Sequence, residues 1–362
     1  MTATQVAITG APRRRRGAPG RSVPLPTPPD TMPSRGPLVD RFGRVHDDLR
    51  ISVTDRCNLR CTYCMPEDGM TFLPRSDVLS FDEIVRVAAV ARSLGVSSIR
   101  LTGGEPLLRR GLPGLVRRLA ALGFEDLALT TNGMLLAEQA DALSEGGLRR
   151  VNISCDSLRP ERFTTIRRRG DLATVLAAMD VAEAVGLTPL KVNVVLVRGR
   201  NDDEILDFAD FARGTGRIVR FIEFMPLDAQ GQWDRSQLVP GREVFDRISA
   251  AWPLAAADDP HGAAPAERFR FVDGRGEIGL ISSVTQPFCG TCNRLRLTAD
   301  GSIRNCLFSD DEHELRDLLR NEGTDSDVEV HLRAAVWGKQ PGHGINDPGF
   351  LRPARSMSMI GG

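Results

Sequence analysis

The sequence predicts an α/β fold: a partial (βα)6 barrel of the TIM type with a C-terminal extension. Three observations predict it. Six short runs of β-forming character recur between residues 49 and 224. Segments with helical periodicity and recognisable caps lie between them. After about residue 240 this rhythm stops and a cysteine-bearing pattern takes over. Strands alternating with helices at such spacing form a parallel sheet with right-handed crossovers. A doubly wound open sheet is the rival arrangement.

Residues 1–44 are rich in Pro, Gly and Arg and have no hydrophobic period, so they read as a disordered extension. The run Arg13–Arg16 is followed by Pro, Gly and Ser rather than an apolar stretch; it is not a secretory signal and reads as a solvated tail. The barrel is assigned to 45–265. Its strands are LRISVT (49–54), SIRLTG (98–103), LALTT (127–131), RVNIS (150–154), LKVNVVLV (190–197) and VRFIEF (219–224). Ser80 and Glu83 form a capping box that opens a helix ending near Leu94, with Gly95 as its stop. Asn201 and Glu204 are expected to start another in the same way. Helical periodicity also fits 112–122 and 171–185, each followed by Gly. The remaining segment, 266–362, begins with a hairpin turning at Asp273-Gly274 and ends in Gly361-Gly362.

Composition excludes several function classes. Formal net charge is zero, which makes no case for nucleic acid or a membrane surface as partner. No run approaches the roughly 18–20 apolar residues of a membrane span. The seven cysteines are odd in number and carry CxxC spacings, which argues against a disulfide framework and for a reducing, cytoplasmic setting. Lys191 and Lys339 are the only lysines in a chain whose other basic residues are Arg, so each invites a reason.

In a barrel of this kind, functional residues gather at the C-terminal ends of strands. Cys57 follows strand one, Gly103-Gly104-Glu105-Pro106 follows strand two, Thr131 and Asn132 close strand three, and Ser154 closes strand four. Met225 and Pro226 close strand six. Lys191, near the start of strand five, fits this rule less well. Cys57, Cys61 and Cys64 form CxxxCxxC, three soft thiolates in one short loop. Such ligands select zinc, copper(I) or iron–sulfur clusters. A cubane held by three cysteines leaves one iron open to a small molecule; a zinc loop completed from elsewhere is the alternative. Cys289, Cys292 and Cys306 make a second triad of the same kind. Cys155 reads as a buried small hydrophobe, and the five histidines show no ligand spacing.

CxxxCxxC directly after the first strand of a βα series resembles the radical S-adenosylmethionine superfamily. Tyr63 sits where that family places an aromatic beside the adenine, and GGEP resembles its glycine-rich motif. The second triad narrows the resemblance to the GTP 3′,8-cyclase family, through LRISVTDRCNLRCTYC, RLTGGEPLLR, TTNG, VNIS-x-DSL, FIEFMP, CGTCNRLRLT-x-DG and the terminal Gly pair. The resemblance implies two [4Fe-4S] clusters, one on each triad. It implies S-adenosylmethionine near Tyr63, Gly104, Ser154 and Met225. It implies GTP near Arg50, Arg100, Thr131, Lys191, Arg294, Leu295 and Arg296, with Gly361 and Gly362 entering the site. The implied reaction takes hydrogen from C3′ of the ribose, joins C3′ to C8, and gives (8S)-3′,8-cyclo-7,8-dihydroguanosine 5′-triphosphate. That is the first step of molybdenum cofactor biosynthesis. A homodimer, a reductant of flavodoxin or ferredoxin type and a downstream cyclic pyranopterin monophosphate synthase are implied with it. Two other readings stay open: a twin-cluster radical enzyme acting on a peptide, and a zinc-stabilised binding module.

Overall fold

The computed structural model describes residues 32–257 and 262–361. Its strands are β1 (Asp48–Ser52), β2 (Ser98–Thr102), β3 (Asp126–Thr131), β4 (Arg150–Ser154), β5 (Lys191–Leu196), β6 (Ile218–Glu223), β7 (Leu254–Ala256), β8 (Glu267–Phe271), β9 (Glu277–Ile281), β10 (Arg294–Leu297), β11 (Ser302–Arg304) and β12 (His313–Glu314). They form one sheet in the order β12-β11-β10-β1-β2-β3-β4-β5-β6-β9-β8-β7. From β10 through to β9 every neighbouring pair is parallel. The predicted six-strand barrel is therefore present, and the C-terminal segment adds a parallel strand at each edge. The hairpin at Asp273-Gly274 is the β8–β9 turn, with Gly274 at φ +78°.

Between the first six strands run α1 (Phe81–Ser93), α2 (Leu112–Ala120), α3 (Leu136–Glu145), α4 (Pro160–Arg167), α5 (Leu172–Ala184) and α6 (Ile205–Thr215). Beyond β6 come α7 (Gly241–Ala251), α8 (Arg316–Arg320), α9 (Asp325–Trp337) and α10 (Met357–Ile360). The Ser80/Glu83 capping box is formed in both directions. None of the described helices is long and apolar enough to cross a membrane.

Strand alternation sorts the side chains. Leu49, Ile51, Ile99, Leu101, Leu127, Leu129, Val151, Ile153, Val192 and Val194 pack outward against the helices in one continuous core. The other face of the same strands carries Asp48, Arg50, Arg100, Asn152, Asn193 and Arg220, so the interior is polar and strongly basic. A barrel lumen needs apolar filling only where no ligand enters; a charged lumen points to an anionic occupant.

Two expectations are corrected. Asn201 and Glu204 do not form a capping box. Asn201 is buried and ties its side chain to Val197, Asp156 and Val195, while the Glu204 carboxylate accepts from Ser157 and Leu158. Both residues staple the loop after β4 to the loop after β5. The second correction concerns the extension read as disordered over 1–44. Residues 1–31 lie outside the described residues, but Leu38 is fully buried in the core and Val39 bridges Val45. Arg44 donates to the carbonyls of Cys289, Gln340 and Pro341. One leucine and a charged anchor secure this strap, too little apolar content to show a period.

Candidate active site

The loop after β1 turns tightly enough to bring Cys57, Cys61 and Cys64 to the C-terminal mouth of the sheet, where all three line one cavity of about 300 Å³. The cavity is completed by the second triad, Cys289, Cys292 and Cys306, from the loops flanking β10 and β11. Residues more than two hundred positions apart thus face a shared chamber. Among the described residues no group of three His, Cys, Asp or Glu side chains converges on a single-ion site. Three thiolates facing one chamber are donors of the kind that hold an iron–sulfur cluster or zinc. Burial raises the first triad: Cys57 is pushed up to about 11, and Cys61 and Cys64 are raised as well. In the second triad burial also raises Cys289. Cys292 differs. Burial works against its thiolate, but Arg294 and Lys339 outweigh it and draw the group down to about 6.

Gly103 and Gly104 are required by backbone crowding. A Cβ at Gly103 would lie 2.4 Å from the Thr54 carbonyl, and one at Gly104 would lie 2.4 Å from the Arg56 carbonyl. The loop after β2 thereby nests against the cysteine loop. Glu105, next in line, is fully buried and binds Leu107 N, Thr131 Oγ1 and Asn132 N. Burial lifts its carboxyl to about 7 against these three donors. Asn132 in turn reaches Asn58 beside the first triad.

Tyr63, Gly104, Ser154 and Met225 all line the chamber, as do Arg50, Arg100, Thr131, Arg294 and Arg296. Asp48 sits among the arginines. Its burial opposes ionisation, yet Arg50, Arg100, Arg294 and Arg296 hold its carboxyl below the ordinary value. One carboxylate cannot satisfy four guanidinium groups, and Arg50 Nε, Arg100 Nε and Arg294 Nη1 are buried without a hydrogen-bond partner. Unpaired buried donors are costly unless an anion completes them.

Two predicted residues are placed differently. The Leu295 side chain packs in the core behind the sheet, so it offers the chamber no side-chain contact. Lys191 begins β5 below the chamber, among Arg150, Arg220, Arg100 and Asp126. Burial, followed by these cations, lowers it to about 7. Gly361 is at φ +87°, and Arg296 donates to its carbonyl. Gly362 lies outside the described residues. Cys155 is fully buried with its thiol toward the Ser157 carbonyl.

Sequence reasoning missed Arg220 and Arg167, and it placed Asp156 at the end of strand four without a role. Arg220 spans Asn193 Oδ1 and Asn152 Oδ1, each at 2.9 Å, and lines the same chamber. Its place in the alternation of β6, two residues before Ile222 on the inner face, was the available signal.

Residues 51–212 match the model of the radical SAM superfamily, and 217–345 match that of Molybdenum Cofactor Synthesis C. A GTP 3′,8-cyclase of Corynebacterium glutamicum is 48% identical over 90% of this chain and 89% of its own. The chain belongs to the GTP 3′,8-cyclase family. A second member, from Streptomyces coelicolor, is 49% identical over 90% of this chain and 96% of its own. Among solved structures, Streptococcus suis SuiB has a similar fold at 12% identity, with a TM-score of 0.57 over 84% of this chain and 68% of that one. The anSMEcpe structure with bound AdoMet and Cp18Cys peptide gives a TM-score of 0.51 at 16% identity, over 82% and 81%.

Proposed function

We propose that this chain is a radical S-adenosylmethionine enzyme that converts GTP to (8S)-3′,8-cyclo-7,8-dihydroguanosine 5′-triphosphate, the first step of molybdenum cofactor biosynthesis. The observation that carries the reading is one chamber lined by both cysteine triads and by arginines with unpaired donors. Cys57, Cys61 and Cys64 would hold one four-iron cluster, and Cys289, Cys292 and Cys306 a second. With S-adenosylmethionine bound, the first cluster supplies one-electron cleavage to methionine and a 5′-deoxyadenosyl radical.

The chain's own residues then bind and orient. Tyr63, Gly104, Ser154 and Met225 surround the cofactor. Arg50, Arg100, Arg294 and Arg296 receive the triphosphate, whose oxygens complete the unpaired guanidinium donors. Lys191 adds charge from below, Thr131 a hydroxyl, and Leu295 backbone alone. Gly361 closes over the substrate without side-chain bulk. Holding ribose C3′ close to the radical, and C8 above C3′, is the selectivity this wall provides. A one-electron carrier of flavodoxin or ferredoxin type, a homodimer and a downstream cyclic pyranopterin monophosphate synthase belong to the same proposal.

The test is anaerobic purification with iron and sulfide counting, then incubation of reduced protein with S-adenosylmethionine and GTP. Two cubanes predict about eight iron and eight sulfide per chain, and release of 5′-deoxyadenosine only when GTP is present. One zinc without sulfide, or deoxyadenosine release indifferent to GTP, defeats the proposal.

A further inference from the structure

Lys339 is one of two lysines among the chain's 47 basic residues, and the proposed reaction gives it no task. It follows α9, and only 3% of its surface is exposed. Its Nζ lies 3.2 Å from Cys292 Sγ and donates to the Arg294 carbonyl at 2.8 Å. Among the described residues no carboxylate forms an ion pair with it. A buried ammonium without a counter-charge is strongly disfavoured. The groups that can supply that charge are the thiolates of the second triad, Cys292 at hydrogen-bond distance and Cys306 beyond it. Behind the triad a smaller cavity of about 120 Å³ is lined by Lys339, Arg44, His343 and all three cysteines, whereas Lys339 does not line the main chamber, so the ammonium approaches the triad from the side away from that chamber.

We infer that Lys339 is a positioning and tuning residue for the second iron–sulfur cluster: its Nζ hydrogen bond to Cys292 Sγ anchors that ligand to β10 and raises the cluster's reduction potential. Reduction adds negative charge to the cluster. A fixed donor and cation at a ligating sulfur stabilise the reduced form more than the oxidised one, which moves the potential up. The bond to the Arg294 carbonyl fixes where that charge stands. Arginine would place a wider, planar head in the same space, which accounts for a lysine here in a chain whose basic residues are nearly all Arg.

The inference rests on the two-cluster reading, and the experiment separates the two. Cys57, Cys61 and Cys64 are replaced together by Ala in the full chain, so that the only spectroscopic signal is that of the second cluster. If this background binds no four-iron cluster with Lys339 intact, the two-cluster reading has failed. Given a bound cluster, Lys339→Met and Lys339→Gln are compared by redox titration followed by electron paramagnetic resonance, with iron and sulfide counted. The expected result is a lower potential in Lys339→Met and an intermediate one in Lys339→Gln, which keeps a donor and loses the charge. In the otherwise native chain, selective loss of the second cluster's iron, with the first retained, is the expected companion. Full occupancy at an unchanged potential overturns the inference. So does a loss of iron that takes both clusters alike, which would mark a folding defect.

Discussion

Tyr63 donates its hydroxyl hydrogen to Asp156 Oδ2 across 2.7 Å, and Arg167 Nη2 stands 2.8 Å from the same oxygen. Arg167 Nη1 also donates to Cys61 Sγ at 3.5 Å. Tyr63, the cysteine loop and the end of β4 are thus locked through one buried carboxylate. Removing Arg167 leaves Asp156 buried without its counter-charge, a change that costs roughly 3–5 kcal/mol. Arg167→Met is expected to lower the urea midpoint accordingly, and adding Asp156→Asn to recover part of the loss. Strict additivity of the two changes in a double-mutant cycle would show that the pair is not coupled.

The C-terminal tail passes Ser52 and Thr102 at a position that admits only glycine. A Cβ at Gly361 would stand 2.7 Å from Ser52 Cβ and 3.2 Å from Thr102 Cγ2, at a φ of +87°. Gly361→Ala should displace the tail, leave the iron content unchanged and cut turnover by about 10². Ser52→Gly removes the nearer clash and should return part of that activity in the double variant. Turnover of Gly361→Ala within a factor of two of the parent would show that the tail does not position substrate.

The triads and the strand-end rule were legible because each is local. Six residues of known chemistry fall in two short stretches, and the strands ahead of them announce themselves by composition. The basic wall was half legible. Arg50, Arg100, Arg294 and Arg296 stood beside motifs, whereas Arg220 and Arg167 were lost among so many other arginines. What singles them out is a partner that only the fold supplies: Asn152, on another strand, for Arg220, and Asp156, across the turn between β4 and α4, for Arg167. Helix α3 went unread for a different reason. Its N-cap is Leu135 with no side-chain cap, so it is held by packing on α2 and α5 rather than by a local signal.

The strap that carries Arg44 also carries a pH dependence. His46 is almost fully buried, with Nε2 at 3.0 Å from Asp40 Oδ2. Burial, then the charge of Lys339, lowers it from 6.5 to about 4 against the pull of Asp40. The unfolded chain therefore binds a proton between pH 6.5 and 4 that the folded chain does not. Stability from this group is complete above pH 6.5 and is lost as pH falls through 6.5 toward 4, by roughly 3 kcal/mol in all. Melting temperatures across pH 7.5 to 5 should fall with acidity, and His46→Gln should flatten that slope. An equal slope in both proteins would assign the acid sensitivity elsewhere.

Lys191 makes the opposite use of the same physics. Burial, and then Arg150, Arg220 and Arg100, hold it at about 7. A triphosphate bound among these cations adds negative charge and returns the lysine toward its ordinary value, so binding near and above neutrality takes up a proton. GTP affinity is thus expected to fall as pH rises through 7 to 9, by up to about tenfold per unit where uptake approaches one proton. Calorimetry in buffers of different ionisation enthalpy measures that uptake directly. Lys191→Arg keeps the cation but cannot titrate in this range, so it should remove the excess slope and leave only the titration of the nucleotide's own phosphate. Identical proton uptake in the parent and Lys191→Arg would mean that this lysine never faces the triphosphate.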